Sequence, residues 1–290
     1  MNIDLFRSLW GWQGDWGQCA AELRAVGCMG VEARLPIETG AVQALRHTLQ
    51  QEDLAYIAVV FTGGDVIPDQ RWTMEQHWDR LRAALDAAQV AQPRFLNILA
   101  GNDRWSLDQQ VAFFGHALEL ADVAGVVCSF ETHRATSLYS PWLTLDLIAQ
   151  LPQLRFTTDI SHWVVVCERL LNDPVDDLTP FIERVHHVQA RVGYAQGAQV
   201  PHPAAPEYAS ELAFHQDVWE RVWASQRARG YSVTTLTPEF GPDGYTFRLP
   251  FTQAPIADVW TLNQWMTQTE AEHFARWSAA TSATTSALNR

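Results

Sequence analysis

The sequence predicts a single-domain α/β protein whose strands close into a (β/α)8 barrel. Three observations carry this. Short apolar or β-branched runs alternate with longer helical patterns along the chain, and eight such strand–helix units follow one another with no break in composition. Strands separated by helices of this length form a parallel sheet, and eight of them point to closure rather than an open sheet. An open doubly wound sheet would place a Gly-x-Gly-x-x-Gly turn after its first strand. That place reads SLWGWQGDWG, with glycines spaced by two residues and loaded with Trp.

The elements follow in order. Asn2–Ser8 is the first strand and Trp16–Val26 its helix, ended by the glycines at 27 and 30. Val31–Leu35 and Ala55–Phe61 are strands around a helix over Val42–Gln51. Thr73–Ala88 is a long helix, Arg94–Leu99 a strand, Leu107–Val123 a helix and Gly125–Phe130 a strand. Helix Leu143–Leu151 leads to strand Leu154–Thr158, then to helical Val164–Leu171 and Asp177–Ile182, then to strand Val185–Val192. A Pro/Gly-rich stretch over 193–206, a candidate lid carrying Gln199 and His202, precedes helix Glu211–Arg229. Strand Tyr231–Thr237 and helix Ile256–Trp277 complete the barrel, residues 1–277. The Ser/Ala/Thr-rich segment 278–290 is expected to be a flexible tail.

Composition narrows the function. The 290 residues are 47% hydrophobic and carry a net charge of −13, so a large core is available and phosphate backbones are repelled. All 20 basic residues are Arg. Schiff-base, P-loop and pyridoxal-phosphate lysines are therefore excluded. Cys19, Cys28, Cys128 and Cys167 form no C-x-x-C pair and read as free thiols. The N-terminus lacks the pattern of a signal peptide and no apolar run is long enough to span a bilayer, so a reduced cytoplasm is the expected compartment.

In a closed barrel the chemistry belongs at the C-terminal strand ends. Those ends in the second half read Phe130-Glu131-Thr132-His133, Thr158-Asp159-Ile160-Ser161-His162, His187-Val188-Gln189-Ala190-Arg191 and Thr237-Pro238-Glu239. Glu131, Asp159, Gln189 and Glu239 are separated by 28, 30 and 50 positions, one strand–helix–strand step each, the last with the Pro/Gly insertion. Any one of these acids alone reads as a helix cap or an arginine partner. Four polar groups at matching strand ends read as a site, and three converging carboxylates call for a divalent cation.

These runs, FETHR, TTDISHW, HVQARVG…QVPHP and LTPEFGP in this order, resemble the xylose-isomerase-like TIM-barrel family, the sugar isomerase/epimerase superfamily that also includes the endonuclease-IV-type barrels. The resemblance covers nearly the whole chain. It implies one divalent metal, Mn²⁺ or Mg²⁺ foremost and Zn²⁺, Co²⁺ or Fe²⁺ as alternatives, held by Glu131, Asp159, the Gln189 position and Glu239. The family generally has His-x-His on the seventh strand; here the second His is Gln189, a weaker ligand for borderline metals. The resemblance also implies that Glu131 and Glu239 act as acid and base on an enediolate. The absence of Lys speaks against a xylose-isomerase hydride shift. His133, His162, His187, Arg191 and Trp12 are candidates for substrate contact. His133 and His162 read equally as supporting groups, and Arg191 as a partner of a barrel carboxylate.

The expected function is a metal-dependent isomerase or epimerase of a small sugar or polyhydroxylated carbonyl compound. A metal-dependent lyase or hydrolase on a keto-sugar or glycoside is the second reading, and a sugar-binding barrel that has lost its metal the third. No nucleic-acid or membrane partner is expected, and a homodimer is the base-rate assembly.

Overall fold

The computed structural model describes residues 1–288. Its elements run β1 (Asn2–Ser8), α1 (Trp16–Ala25), β2 (Gly30–Arg34), α2 (Thr39–Gln51), β3 (Ala55–Phe61), α3 (Met74–Ala91), β4 (Leu96–Leu99), α4 (Leu107–Ala124), β5 (Cys128–Glu131), α5 (Pro141–Gln150), β6 (Phe156–Thr158), α6 (Ser161–Cys167), α7 (Thr179–Ile182), β7 (Val185–Ala190), α8 (Ala209–Ala228), β8 (Val233–Pro238) and α9 (Val259–Leu288). All eight strands are parallel and each pairs with the next. Pairing of β1 with β8, Asn2 against Val233 through Leu5 against Leu236, closes the barrel.

Local chemistry explains where elements start and stop. α3 and α4 each open on a capping box, Thr73 with Gln76 and Ser106 with Gln109, which satisfies otherwise unpaired N–H groups. β5 starts at Cys128 rather than at Gly125, because Gly125 sits at φ +65° and caps α4. α6 starts at Ser161, earlier than the periodicity predicts, because the Asp159 carboxylate accepts from the Ser161 N–H at 3.1 Å. Glu168 at φ 51° ends it. The last helix continues past Trp277 to Leu288. Residues 289–290 of the expected tail lie outside the described residues.

Alternation along the strands divides the interior into two layers. Leu5 and Arg7 of β1 face the helices, Arg7 reaching Glu22 of α1 at 2.7 Å, while Phe6 faces inward. Phe6, Ile57 and Phe95 form a separate buried cluster inside the barrel, and Phe95 lies 5.3 Å from the ring of His187. The outer layer, between strands and helices, holds the main core, including the fully buried Trp163, Trp219 and Trp223. β2 and β3 meet so closely at Gly30 that a Cβ there would lie 2.0 Å from the Ala55 carbonyl oxygen, so only glycine fits. All four cysteines are free. Among the described residues no helix is long and apolar enough to cross a membrane.

A polar staple joins α8 to α9. His273 Nε2 meets Glu220 Oε1 at 2.8 Å, its Nδ1 meets Glu270 Oε2 at 2.8 Å, and Gln216 donates to Glu270 Oε1 at 2.8 Å. Burial opposes a charge on His273, but the hydrogen bonds to Glu270 and Glu220 outweigh it and hold its pKa above the usual imidazole value. A raised histidine pKa stabilises the fold fully below about pH 6.5, and that contribution is lost as pH rises through the folded value. His273→Gln is therefore expected to melt about 2–4 °C below wild type at pH 6, with the gap closing above neutrality. Melting curves over pH 5.5–9 check this, and a pH-independent gap would contradict it.

Candidate active site

The strand register puts the polar residues of the second half on one inner level. Glu131 pairs with Thr157, Thr157 with His187, and Gln189 with Thr237, so Asp159 and Glu239 stand one inward repeat further along their chains. Thr132 fixes the first step: its hydroxyl donates to the Asp159 carbonyl at 3.0 Å and accepts the Asp159 N–H at 2.9 Å. Glu131, Asp159 and Glu239 come together, each offering an oxygen within 4.8 Å of the others.

Gln189 is the bracket between them. Its Nε2 donates to Glu239 Oε1 at 3.0 Å and to Glu32 Oε1 at 3.1 Å. Its Oε1 is buried with no hydrogen-bond partner. Glu32 lies beneath the site as the acceptor of a larger network. It takes Asn97 Nδ2 at 2.8 Å and His187 Nε2 at 3.2 Å, and Asn97 Nδ2 also lies 2.8 Å from Glu131 Oε2. Burial alone would raise the Glu32 pKa. The neighbouring His187, with hydrogen bonds from His187, Thr237 and Asn97, brings it net below the usual value. His187 is thus a partner of Glu32, with Thr235 at 2.8 Å on its Nδ1, and does not line the cavity.

Arg191 is 1% exposed and spans two of the carboxylates. Its Nη2 is bonded to Asp159 Oδ2 and lies 3.6 Å from Glu239 Oε2. The same nitrogen donates to His162 Nε2 at 2.6 Å, which places the His162 proton on Nδ1, a buried nitrogen without a partner. Asp159 Oδ1 accepts from Ser161 N and Oγ. Asp159 therefore combines the cap and arginine-partner roles open to it in the sequence with its place in the acidic cluster. His133 packs against His162 with ring centroids 3.9 Å apart and their planes tilted by 49°. Burial, with Arg191 nearby, pushes His133 down to about 3, and burial with His133 beside it holds His162 well below its usual value, so both rings are neutral.

A cavity of about 570 Å³ opens onto this cluster. Glu32, Glu131, His133, Arg191 and Glu239 line one side; Val59, Phe61, Val66, Ile67 and Leu99 line another, with Trp10 and Arg34 at the wall. Asp159 and His162 are fully buried and do not line it. Trp12 packs edge-on against Trp16 at 5.2 Å and is outside the lining; Trp10 takes that place. Gln199 ties the Pro/Gly stretch to the β8 end: its amide accepts from the Gly241 N–H at 2.8 Å and donates to the Gly241 and Tyr245 carbonyls.

The electrostatics show an uncompensated acidic cluster. Burial, then Glu239, Asp159 and Glu32, raise the Glu131 pKa well above the carboxylate range despite the Asn97 hydrogen bond. Burial pushes Glu239 up to about 8; Arg191 draws it down, while Asp159 and Glu32 add to the rise. Were all three carboxylates ionised, one guanidinium would leave two negative charges, and the raised values of Glu131 and Glu239 are the response to that repulsion and to burial. The three clustered oxygens suit a divalent ion with ligands at about 2.0–2.3 Å. The cluster can chelate such an ion.

Asn97 and Tyr245, the latter 4.7 Å from the Arg191 guanidinium, are the parts of this site that sequence reasoning did not place, whereas Glu32 on the second strand reads from the sequence as reaching either the barrel floor or the site. A charged Glu32 inside the apolar run of β2 is the one signal that pointed inward.

Among solved structures the chain is similar to a xylose isomerase-like TIM-barrel protein of Mycobacterium smegmatis in complex with magnesium (12% identity, TM-score 0.62, covering 93% of this chain and 97% of that one). It is also similar to the 3-keto-D-glucoside 4-epimerase of E. coli (10%, 0.58, 96% and 100%) and to the probable 3-DHS dehydratase of Bacillus anthracis (14%, 0.55, 84% and 94%). These identities show a shared fold. No curated protein matches the sequence. The family model described as xylose isomerase-like TIM barrel matches residues 20–244, most of the chain, and with the closed eight-stranded barrel it establishes that this protein belongs to the xylose isomerase-like TIM-barrel family.

Proposed function

We propose that this protein is an isomerase or epimerase of a small polyhydroxylated carbonyl compound, working by proton transfer at the carbon next to the carbonyl. The observation that carries the reading is that Glu131 and Glu239 both reach the cavity, at the ends of different strands, with burial and their acidic neighbours raising both carboxyl pKa values, that of Glu239 to about 8. A carboxyl group with such a pKa is suited to both giving and taking a proton near neutral pH. Glu131 and Glu239 exchange the substrate proton as a pair, one as base and the other as acid. Asn97, bonded to Glu131 Oε2, and Gln189, bonded to Glu239 Oε1, orient the two carboxylates. Neutral His133, at the cavity wall, hydrogen-bonds a substrate hydroxyl. A divalent cation held by Glu131, Asp159, Glu239 and the Gln189 carbonyl oxygen would supply polarisation of the substrate carbonyl. The similar E. coli structure named as an epimerase supports the reaction class.

The apolar wall of Val59, Phe61, Val66, Ile67 and Leu99 favours a second reading on the same residues. A free sugar would leave hydroxyls without partners there, whereas a glycoside would cover the wall with its aglycone. Loss of a leaving group from the same enolate would make the enzyme a lyase.

Protein incubated with Mn²⁺ or Mg²⁺ in deuterated water is expected to exchange an α-proton of at least one member of a panel of ketoses, keto-glycosides and inosoles. Isomer formation marks the first reading and aglycone release the second. No exchange across the panel would overturn both.

A further inference from the structure

We propose that Arg191 is a tethered cation that holds the place of the divalent ion at Asp159 and Glu239, so that metal enters this site only as Arg191 leaves it. The inference rests on the metal site set out above and concerns what controls its occupancy.

The geometry that supports it is specific. Arg191 Nη2 contacts Asp159 Oδ2 and lies 3.6 Å from Glu239 Oε2, two of the three clustered carboxylates. Its Nη1 donates to the Glu239 carbonyl at 3.4 Å and its Nε to Ser161 Oγ at 3.3 Å, so the planar head is fixed along two edges. The oxygens of Asp159 are engaged, Oδ1 by Ser161 and Oδ2 by Arg191. Asp159 does not line the cavity, and Arg191 does. An ion arriving from the cavity therefore meets the guanidinium before it meets Asp159.

Two like charges cannot share those oxygens in a dry site. A guanidinium does not resolve the conflict by losing its proton, so it has to move. The faces of Tyr245 and Trp10 already lie 4.7 and 5.9 Å from the Arg191 guanidinium, so cation–π attraction is retained through a small displacement of the head off Asp159. Gln189 acts in the same direction. It supplies a neutral amide oxygen where imidazole would bind borderline metals more tightly. Both residues weaken the ion's hold, and Arg191 keeps the site assembled without it.

Substrate-free calorimetric titration with Mn²⁺ tests the exchange. Arg191→Met is expected to bind Mn²⁺ about 10–100-fold more tightly than wild type, and to gain melting temperature on Mn²⁺ addition to a greater extent. Arg191→Gln, which keeps hydrogen-bonding groups without the charge, gives the same comparison if the Met variant does not fold. In wild type, the Arg191 Nε–H signal in a nitrogen-labelled NMR spectrum is expected to shift as Mg²⁺ saturates the site. Equal or weaker Mn²⁺ affinity in the folded variant, or an unmoved Arg191 signal at saturation, would overturn the proposal. These measurements use no substrate, so their failure leaves the proton-transfer reading standing, and an absence of proton exchange leaves them interpretable.

Discussion

Glu131→Gln is expected to lower the rate of α-proton exchange by about 10³-fold or more while leaving the melting temperature unchanged or raised. The loss of rate follows because the amide neither accepts the substrate proton nor carries the negative charge that holds a cation. The thermal effect has the opposite sign because of what the carboxylate costs. Glu131 is buried against Glu239, Asp159 and Glu32, which is why its pKa stands so high. Replacing it with an isosteric amide removes one of the mutually repelling charges, and the amide oxygen still accepts from Asn97. Stability spent on a reactive group and recovered by its neutral analogue is a signature of an active site rather than of a structural acid. Exchange followed by NMR in deuterated water, together with calorimetry in a chelator, measures both effects. A variant within tenfold of wild-type rate, or one that melts well below it, would remove Glu131 from the proton-transfer role.

Glu32→Ala is expected to act through the fold. Glu32 is 2% exposed and meets Asn97 on β4 and Gln189 and His187 on β7 in hydrogen bonds. Its removal takes one buried acceptor from each of these three side chains, and each keeps a single neighbour: Glu131 for Asn97, Glu239 for Gln189 and Thr237 for His187 Nε2. Removing a carboxylate that accepts three buried hydrogen bonds costs about 3–5 kcal/mol, a fall of about 6–15 °C in melting temperature for a domain of this size. The exposed Glu272→Ala, on α9, is the control and is expected to stay within about 0.5 kcal/mol of wild type. Denaturant titration separates the two. Should Glu32→Ala unfold at the wild-type midpoint, the network would be ornament.

The contrast between Glu131 and Glu32 marks how far the sequence could be read. The barrel was legible because strand-length runs, the apolar AYIAVVF of β3 and the alternating NIDLFRS of β1 among them, recur between helices with their own caps. The three clustered carboxylates were legible from position alone: a strand end is a place, and barrel closure brings strand ends together. What the sequence did not disclose was where each side chain spends its hydrogen bonds. Arg191 could be read as a substrate clamp or as a carboxylate's partner, and only packing shows it committed to Asp159 and reaching Glu239. Trp10 and Trp12 sit two apart in one loop, and the turn geometry, not their chemistry, sends Trp10 to the cavity and Trp12 to Trp16. His187 and Gln189 share a strand face, yet one inward repeat separates a residue under the site from one within it.

Closure of β1 onto β8 has a consequence for biosynthesis. The strand made first receives its second neighbour from the strand made last, Asn2 from Val233. While the chain emerges from the ribosome, β1 keeps an open edge, and Glu131 and Asp159 come together with Glu239 still missing. Unpaired edges of this kind invite association with other nascent chains. Folding helpers would have most to do for this protein in the interval before residue 239 appears, and a chain stalled short of β8 would be a sticky half-cylinder with an incomplete acidic centre.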